Sequence, residues 1–262
     1  MAKRIALAAV VAVAAAVALT SCVRLVQQSF DDQHEVTGQV TEVRLANGAG
    51  DVVLRSRDGA TRTEVKRRVR YAKDHDKPSG DSHRLDGSTL VLDGCGDRCS
   101  VDYEVVVPST DVRVTGENGS GNVHLEDVAS VEVEVGSGDT TVRRVSGVVR
   151  LVNNSGDIDV ADVAGDFTGR IDSGNSHLSN MRGTVTVDNG SGDVHVRMGA
   201  ALSVRAESGS GNVTVQVPRS GAYKVDVDAG SGEQAIDVPN DPNASAELLV
   251  RAGSGDVRIE AT

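Results

Sequence analysis

Asp139-Thr140-Thr141-Val142-Arg143-Arg144-Val145-Ser146-Gly147-Val148-Val149-Arg150-Leu151-Val152-Asn153-Asn154-Ser155-Gly156 is one turn of a repeat, and Asp157 begins the next. The corner signature, Gly-Ser-Gly followed by Asp, Asn or Glu, stands at Gly119-Ser120-Gly121-Asn122, Gly136-Ser137-Gly138-Asp139, Gly190-Ser191-Gly192-Asp193, Gly209-Ser210-Gly211-Asn212, Gly230-Ser231-Gly232-Glu233 and Gly253-Ser254-Gly255-Asp256. Asn154-Ser155-Gly156-Asp157 and Asp172-Ser173-Gly174-Asn175 replace only its first residue, and Gly48-Ala49-Gly50-Asp51 is a looser copy upstream. Between residues 122 and 256 the fourth positions are spaced by 17, 18, 18, 18, 19, 21 and 23 residues. A period of roughly 20 residues is the mark of a solenoid, in which each repeat is one supersecondary unit stacked on its neighbours.

Each turn has room for two short strands, one after the corner and one before the next. Val142 and Val145, then Val149 and Leu151, are matched on the next turn by Val160, Val163, Phe167 and Ile171. Leu178, Met181, Val185 and Val187 follow on the turn after. Side chains of a strand alternate between faces, so this pattern gives each strand one apolar and one polar side. Gly and β-branched residues dominate and no apolar set recurs at helical spacing. The fold class is therefore all-β, a parallel β-solenoid resembling a β-helix with two short strands per rung of about 18 residues. Val142, Val160, Leu178 and Val196 should form one buried column.

The corner has a structural chemistry of its own. Glycine accepts positive φ without steric cost, and Asp or Asn bonds back to the backbone of a turn. Stacking would align Ser137, Ser155, Ser173, Ser191 and Ser210 in a ladder whose hydroxyls can bond one another or the adjoining backbone. Alternation of Asp157, Asn175, Asp193 and Asn212 dilutes like-charge repulsion between rungs about 4.8 Å apart.

The chain opens on Lys3 and Arg4, runs apolar from Ile5 to Leu19, and reaches Leu19-Thr20-Ser21-Cys22. A basic start, a short apolar run and small residues before a break make an export signal. Leu-Thr-Ser-Cys resembles the bacterial lipobox, in which the cysteine is acylated and becomes the mature N-terminus. The expected organisation is a lipoprotein signal peptide over 1–21 with lipidation at Cys22, and a tether over 22–35. A less regular N-terminal β region with a charged loop covers 36–110, and the repeat solenoid covers 111–262. The expected location is the extracytoplasmic face of a bacterial cell membrane. The chain has 3 cysteines. With Cys22 acylated, Cys95 and Cys99 remain as an even pair in an oxidising compartment, and a local disulfide is the favoured reading over two free thiols. A zinc site needs about four ligands, and no second Cys/His pair stands near.

Composition excludes further classes. Trp is absent, aromatics make up 2%, and the formal net charge is −11. Residues 122–262 hold 21 Asp and Glu against 11 Lys and Arg, a net of −10. Nucleic-acid binding calls for a basic footprint and stacking aromatics, so it is not expected. Gly-Ser-Gly-Asp-Val resembles half of the calcium-binding nonapeptide of RTX toxins, but here the unit comes once per turn and often lacks the charge. Calcium prefers several oxygens, mostly charged, converging on one point, which favours a plain turn ladder. His124, His177 and His195 should face solvent, and no third ligand joins the neighbouring His177 and His195. Asp157, Asp159 and Asp162 lie close enough in the repeat to raise a β-helix carbohydrate-active enzyme. Such chemistry needs two carboxylates at a set separation, and no nucleophile, base and orienting group can be assembled from the spacing. No catalytic residue, metal or cofactor is expected.

One strand is basic. Thr61 to Tyr71 alternates, with Thr61, Thr63, Val65, Val69 and Tyr71 on one face interrupted by Arg67, and Arg62, Glu64, Lys66, Arg68 and Arg70 on the other. Arg62, Lys66, Arg68 and Arg70 could contact an anionic surface such as lipid headgroups or wall polymer. The competing reading is a charged edge strand that blocks association.

The Gly-Ser-Gly-Asp corners, the lipobox and the Cys95–Cys99 loop before Val101-Asp102-Tyr103-Glu104-Val105 together resemble a bacterial family. These are β-strand-repeat proteins of unknown function labelled putative adhesins, common as actinobacterial lipoproteins. The resemblance covers residues 36–262 and implies a surface adhesin or binding scaffold without catalytic residues, facing a cell-wall or host polymer. Related domains in envelope-stress sensing proteins imply the alternative, a sensing module working with a separate signalling partner. The sequence itself specifies no protein partner.

Overall fold

The computed structural model describes residues 27–57 and 59–262, so the expected signal peptide and Cys22 lie outside the described residues. Among the described residues there is no helix; 23 strands form a 12-stranded and an 11-stranded sheet, mostly parallel. Each rung sends one strand to each sheet. Ser130–Ser137, for example, lies in the smaller sheet, turns at Gly138, and continues as Thr140–Val145 in the larger. The two sheets enclose a single apolar core rich in Val, Leu and Ile. Val142, Val160, Leu178 and Val196 pair in register as one column and are fully buried.

The corner is held by side chains that reach one rung along. Asn122 N donates to Asp51 Oδ1, Asp139 N to Asn122, Asp157 N to Asp139, Asn175 N to Asp157 and Asp193 N to Asn175, all at 2.7–3.0 Å. The ladder continues through Asn212, Asp256 and Glu233. Asn175 and Asn212 also donate their own Nδ2 to the neighbouring aspartates, a bond that an Asp at the same place could not make. The serine hydroxyls contribute little: Ser120 Oγ stands 3.5 Å from the Gly48 carbonyl, whereas the Ser137 carbonyl accepts from Gly121 N at 2.8 Å. The link that the sequence placed on hydroxyls is thus carried by carboxyl, amide and backbone groups.

A second ladder is hidden inside. Asn118, Val135, Asn153, Ile171 and Asn189 occupy one inward column, so Asn alternates with an apolar residue. Each buried Asn donates to two corner carbonyls, its own and that of the preceding rung. Asn153 Nδ2 reaches Gly138 O at 3.3 Å and Gly156 O at 3.1 Å, and Asn189 Nδ2 reaches Gly174 O and Gly192 O at 2.9 and 3.1 Å. One amide therefore serves two rungs.

The stacking order departs from chain order at both ends. Val257–Ala261 inserts beside Val213–Val217, and Gln234–Ile236, earlier in sequence, becomes the outermost strand of its sheet. At the other end Val52–Ser56 lies between Cys99–Val107 and Val123–Val128. Two antiparallel strands then extend the larger sheet: Thr63–Ala72 pairs with Cys99–Val107, and Gln27–Val36 pairs with Thr63–Ala72. Within the expected tether, residues 27–35 are therefore strand. Their polar appearance reflects the polar groups packed against their inward side. The basic strand Thr63–Ala72 is not an edge, because Gln27–Val36 covers it. Cys95 and Cys99 form a disulfide, with Cα atoms 5.7 Å apart.

Candidate functional site

The repeat corners do not assemble a metal site. Each ladder oxygen accepts a backbone N–H, and successive side chains are spread one per rung along an edge rather than converging. His177 and His195 do meet, stacked with ring centroids 5.1 Å apart on the outward face, while Asp159 is turned to Arg143 at 2.7 Å. Among the described residues no group of three or more His, Cys, Asp and Glu is arranged to hold a metal.

The basic strand is neutralised by its own neighbours. Arg62 pairs with Glu35, Arg68 with Asp31 at 2.8 Å, and Arg70 with Asp102. Lys66 lies in the same outward groove between Gln33 and Glu104. Carboxylates of the two flanking strands answer these three arginines, so most of the positive stripe legible in the sequence is ion-paired in the fold.

The densest polar cluster lies at the N-terminal end, on the inward side of the added strands. Arg67, buried on the apolar face of Thr63–Ala72, donates from Nε and Nη2 to the two oxygens of Asp32 at 2.6 and 2.8 Å. It also donates to Ser82 Oγ at 2.9 Å, the Gly80 carbonyl at 3.2 Å and Asp81 Oδ1 at 3.3 Å. The Arg67 guanidinium holds the Asp32 carboxyl below its usual range, against the opposing effect of burial. His34 Nε2 stands 3.1 Å from Asp32 Oδ1 and 3.6 Å from Asp81 Oδ1. Its ring meets that of His83 edge-on at 4.8 Å. Burial, then the neighbouring His34 and Arg67, push the His83 imidazole down. Tyr103, whose phenol burial pushes up to about 12, donates to the Asp93 carbonyl at 2.6 Å and also touches Ser82.

This grouping contains serine, histidine and aspartate, yet it is not set for nucleophilic catalysis. The Ser82 hydroxyl is engaged by Arg67 and Tyr103 instead of by either imidazole. What it does is close the solenoid: Arg67 ties residues 80–82 over the open end of the core, and Lys77 lies 4.2 Å above the Phe30 ring. The sequence carried one trace of it, Arg67 interrupting an apolar face; its partner Asp32 sat in a stretch that read as tether.

The sequence matches the Toastrack DUF4097 family over residues 39–262. The chain belongs to this family. Among solved structures, a "putative adhesin" from Bacteroides fragilis is 10% identical, with a TM-score of 0.52 over 88% of this chain and 97% of that one. Another "putative adhesin", from Parabacteroides distasonis, is 11% identical with a TM-score of 0.37 over 88% and 97% of the two chains. A search of curated protein sequences returned no match. The likeness to the Bacteroides fragilis protein is one of fold, and it agrees with the Toastrack assignment of an all-β stack of rungs.

Proposed function

We propose that this Toastrack protein is a lipid-anchored surface scaffold that binds a polymer, from the cell wall or from a host, along an exposed sheet face. The observation that carries the reading is the outward side of the smaller sheet. There Arg44, Thr115, Glu132, Arg150, Thr168, Thr186 and Arg205 fall in register, one per rung. Rungs about 4.8 Å apart make this a straight row of hydroxyls and charges of both signs, suited to hydrogen bonding with an extended, repetitive chain. A shallow depression in the same face is lined by Glu42, Thr115, Glu132, Glu134, Arg150 and Arg170. Adhesive function in the Bacteroides fragilis neighbour's name is consistent with this use.

The test is binding of the intact protein to arrays of wall and host polymers. Retention of at least one polymer is expected, with at least tenfold weaker binding by Glu132→Arg/Arg150→Glu at an unchanged melting temperature. Absence of binding across both classes would refute the scaffold reading. The anchor is tested separately. The basic start, apolar run and Leu-Thr-Ser-Cys order predict that wild type partitions into detergent and that Cys22→Ser moves to the aqueous phase. Two acyl chains hold a membrane stably where one is marginal, so the shift should be nearly complete. Equal partitioning of the two proteins would rule out acylation at Cys22.

A further inference from the structure

The free edges of the two sheets at the N-terminal end belong to Gln27–Val36 and His83–Asp86. They come from opposite walls of the solenoid, and His34 of one meets His83 of the other. We propose that this imidazole contact is a proton-released clasp that shuts the N-terminal end of the solenoid at neutral pH and lets it open in acid.

The charges that face the pair come from every element around it. Asp32 shares the strand of His34, Arg67 comes from Thr63–Ala72, and Asp81 comes from the segment leading into His83–Asp86. Tyr103 of Cys99–Val107 is present as neutral phenol, Lys77 is drawn off over Phe30, and the Asp93 carboxylate is turned to Arg84. A proton on His83 would place an imidazolium edge-on against the His34 ring and near the Arg67 guanidinium in a partly desolvated site, which weakens the contact.

The sign follows from linkage. His83 is held below its ordinary value in the closed form by burial. The open form therefore binds the proton more readily, and opening is favoured as pH falls below about 6.5, the value of a free imidazole. Opening would separate His83–Asp86 from Gln27–Val36 and lift residues 80–82 from Arg67, leaving the middle rungs intact. Their ladders contain carboxylates and amides but no inward histidine.

Hydrogen exchange on the intact protein, corrected for intrinsic rates, tests the clasp at pH 7.5 and 5.5. Protection across residues 81–86 should fall at least tenfold at the lower pH, while Ser176–Met181 keeps its protection. His34→Gln/His83→Gln should abolish the pH dependence. Asp81→Asn, which starts the cluster one negative charge poorer, should enlarge the ratio between the two pH values. Unchanged wild-type protection, the same fall in the double variant, or an equal or smaller ratio in Asp81→Asn would overturn the proposal. Because the Asp81→Asn arm compares ratios, it remains decisive if the double variant is loosely closed already at pH 7.5.

Discussion

Gly174→Val should destabilise the protein by more than about 4 kcal/mol, the range reserved for substitutions that break a defined backbone feature. Gly174 turns the corner at φ +136°, a conformation that a β-branched residue disfavours. Space is a second and larger obstacle. A Cβ built on Gly174 would lie 2.1 Å from the Gly156 carbonyl oxygen and 2.6 Å from its carbon. Those atoms are backbone of the preceding rung, so relief requires moving one rung away from another. Moving it would strain both corner ladders at once: Asn189 Nδ2 on the Gly174 carbonyl, and Asn175 N on Asp157 Oδ1. Denaturant unfolding checks the expectation, with Arg143→Ala as a control on the outward face of the same sheet. Arg143 makes an exposed pair with Asp159, and its loss should change stability by no more than about 0.5 kcal/mol. Similar midpoints for the two variants would mean that corner packing is not what holds the rungs in register.

The repeat was legible because its causes are local and recur. A glycine that must turn, an Asp or Asn that must bond, and apolar residues in alternation are visible wherever the period brings them back. The column from Val142 to Val196 and the two strands per rung followed directly from that spacing. The stacking order of the last rungs was not legible. Any strand with an apolar alternation like Val-Thr-Val in Val213–Val217 or Val-Arg-Ile in Val257–Ala261 fits its neighbour equally well, so sequence order does not dictate which lies outermost. The lengthened steps of 21 and 23 residues around Glu233 were the only sign that the chain leaves and returns. Left-handed residues at the end of the first strand of several rungs, Asp127, Arg144, Asp162 and Asn180, also went unread: Asp and Asn tolerate that conformation, but Arg144 at the equivalent place does not commonly adopt it. The ion pairing of the basic strand was not legible for another reason: charge along a strand says nothing of the strands beside it, and here Asp31, Glu35 and Asp102 are those neighbours.

Arg67→Ala should cost about 3–5 kcal/mol, the usual loss when one partner of a buried ion pair is removed. The Arg67 side chain is 4% exposed and the Asp32 side chain 28%. Water can partly rehydrate Asp32, which places the cost toward the lower end. The loss has three components: Asp32 is left beside Asp81 without its cation, Ser82 Oγ and the Gly80 carbonyl lose a donor, and the guanidinium leaves a gap above Val69. Arg67→Lys should rescue little, since an ammonium cannot span both oxygens of Asp32 while also reaching Ser82. A double-mutant cycle with Asp32→Ala should give a coupling of at least about 1 kcal/mol, because the two side chains share one network. Acid provides an independent check. The folded carboxyl of Asp32 lies below its unfolded value of about 3.9, so its contribution is complete above that pH and is lost as pH falls through the lower, folded value. In Arg67→Ala that acid-side loss should largely disappear, because the chief cause of the depression has been removed. A variant as stable as wild type, or one with an unchanged acid limb, would show that the end of the solenoid is closed by apolar contact and that Arg67 is incidental to it.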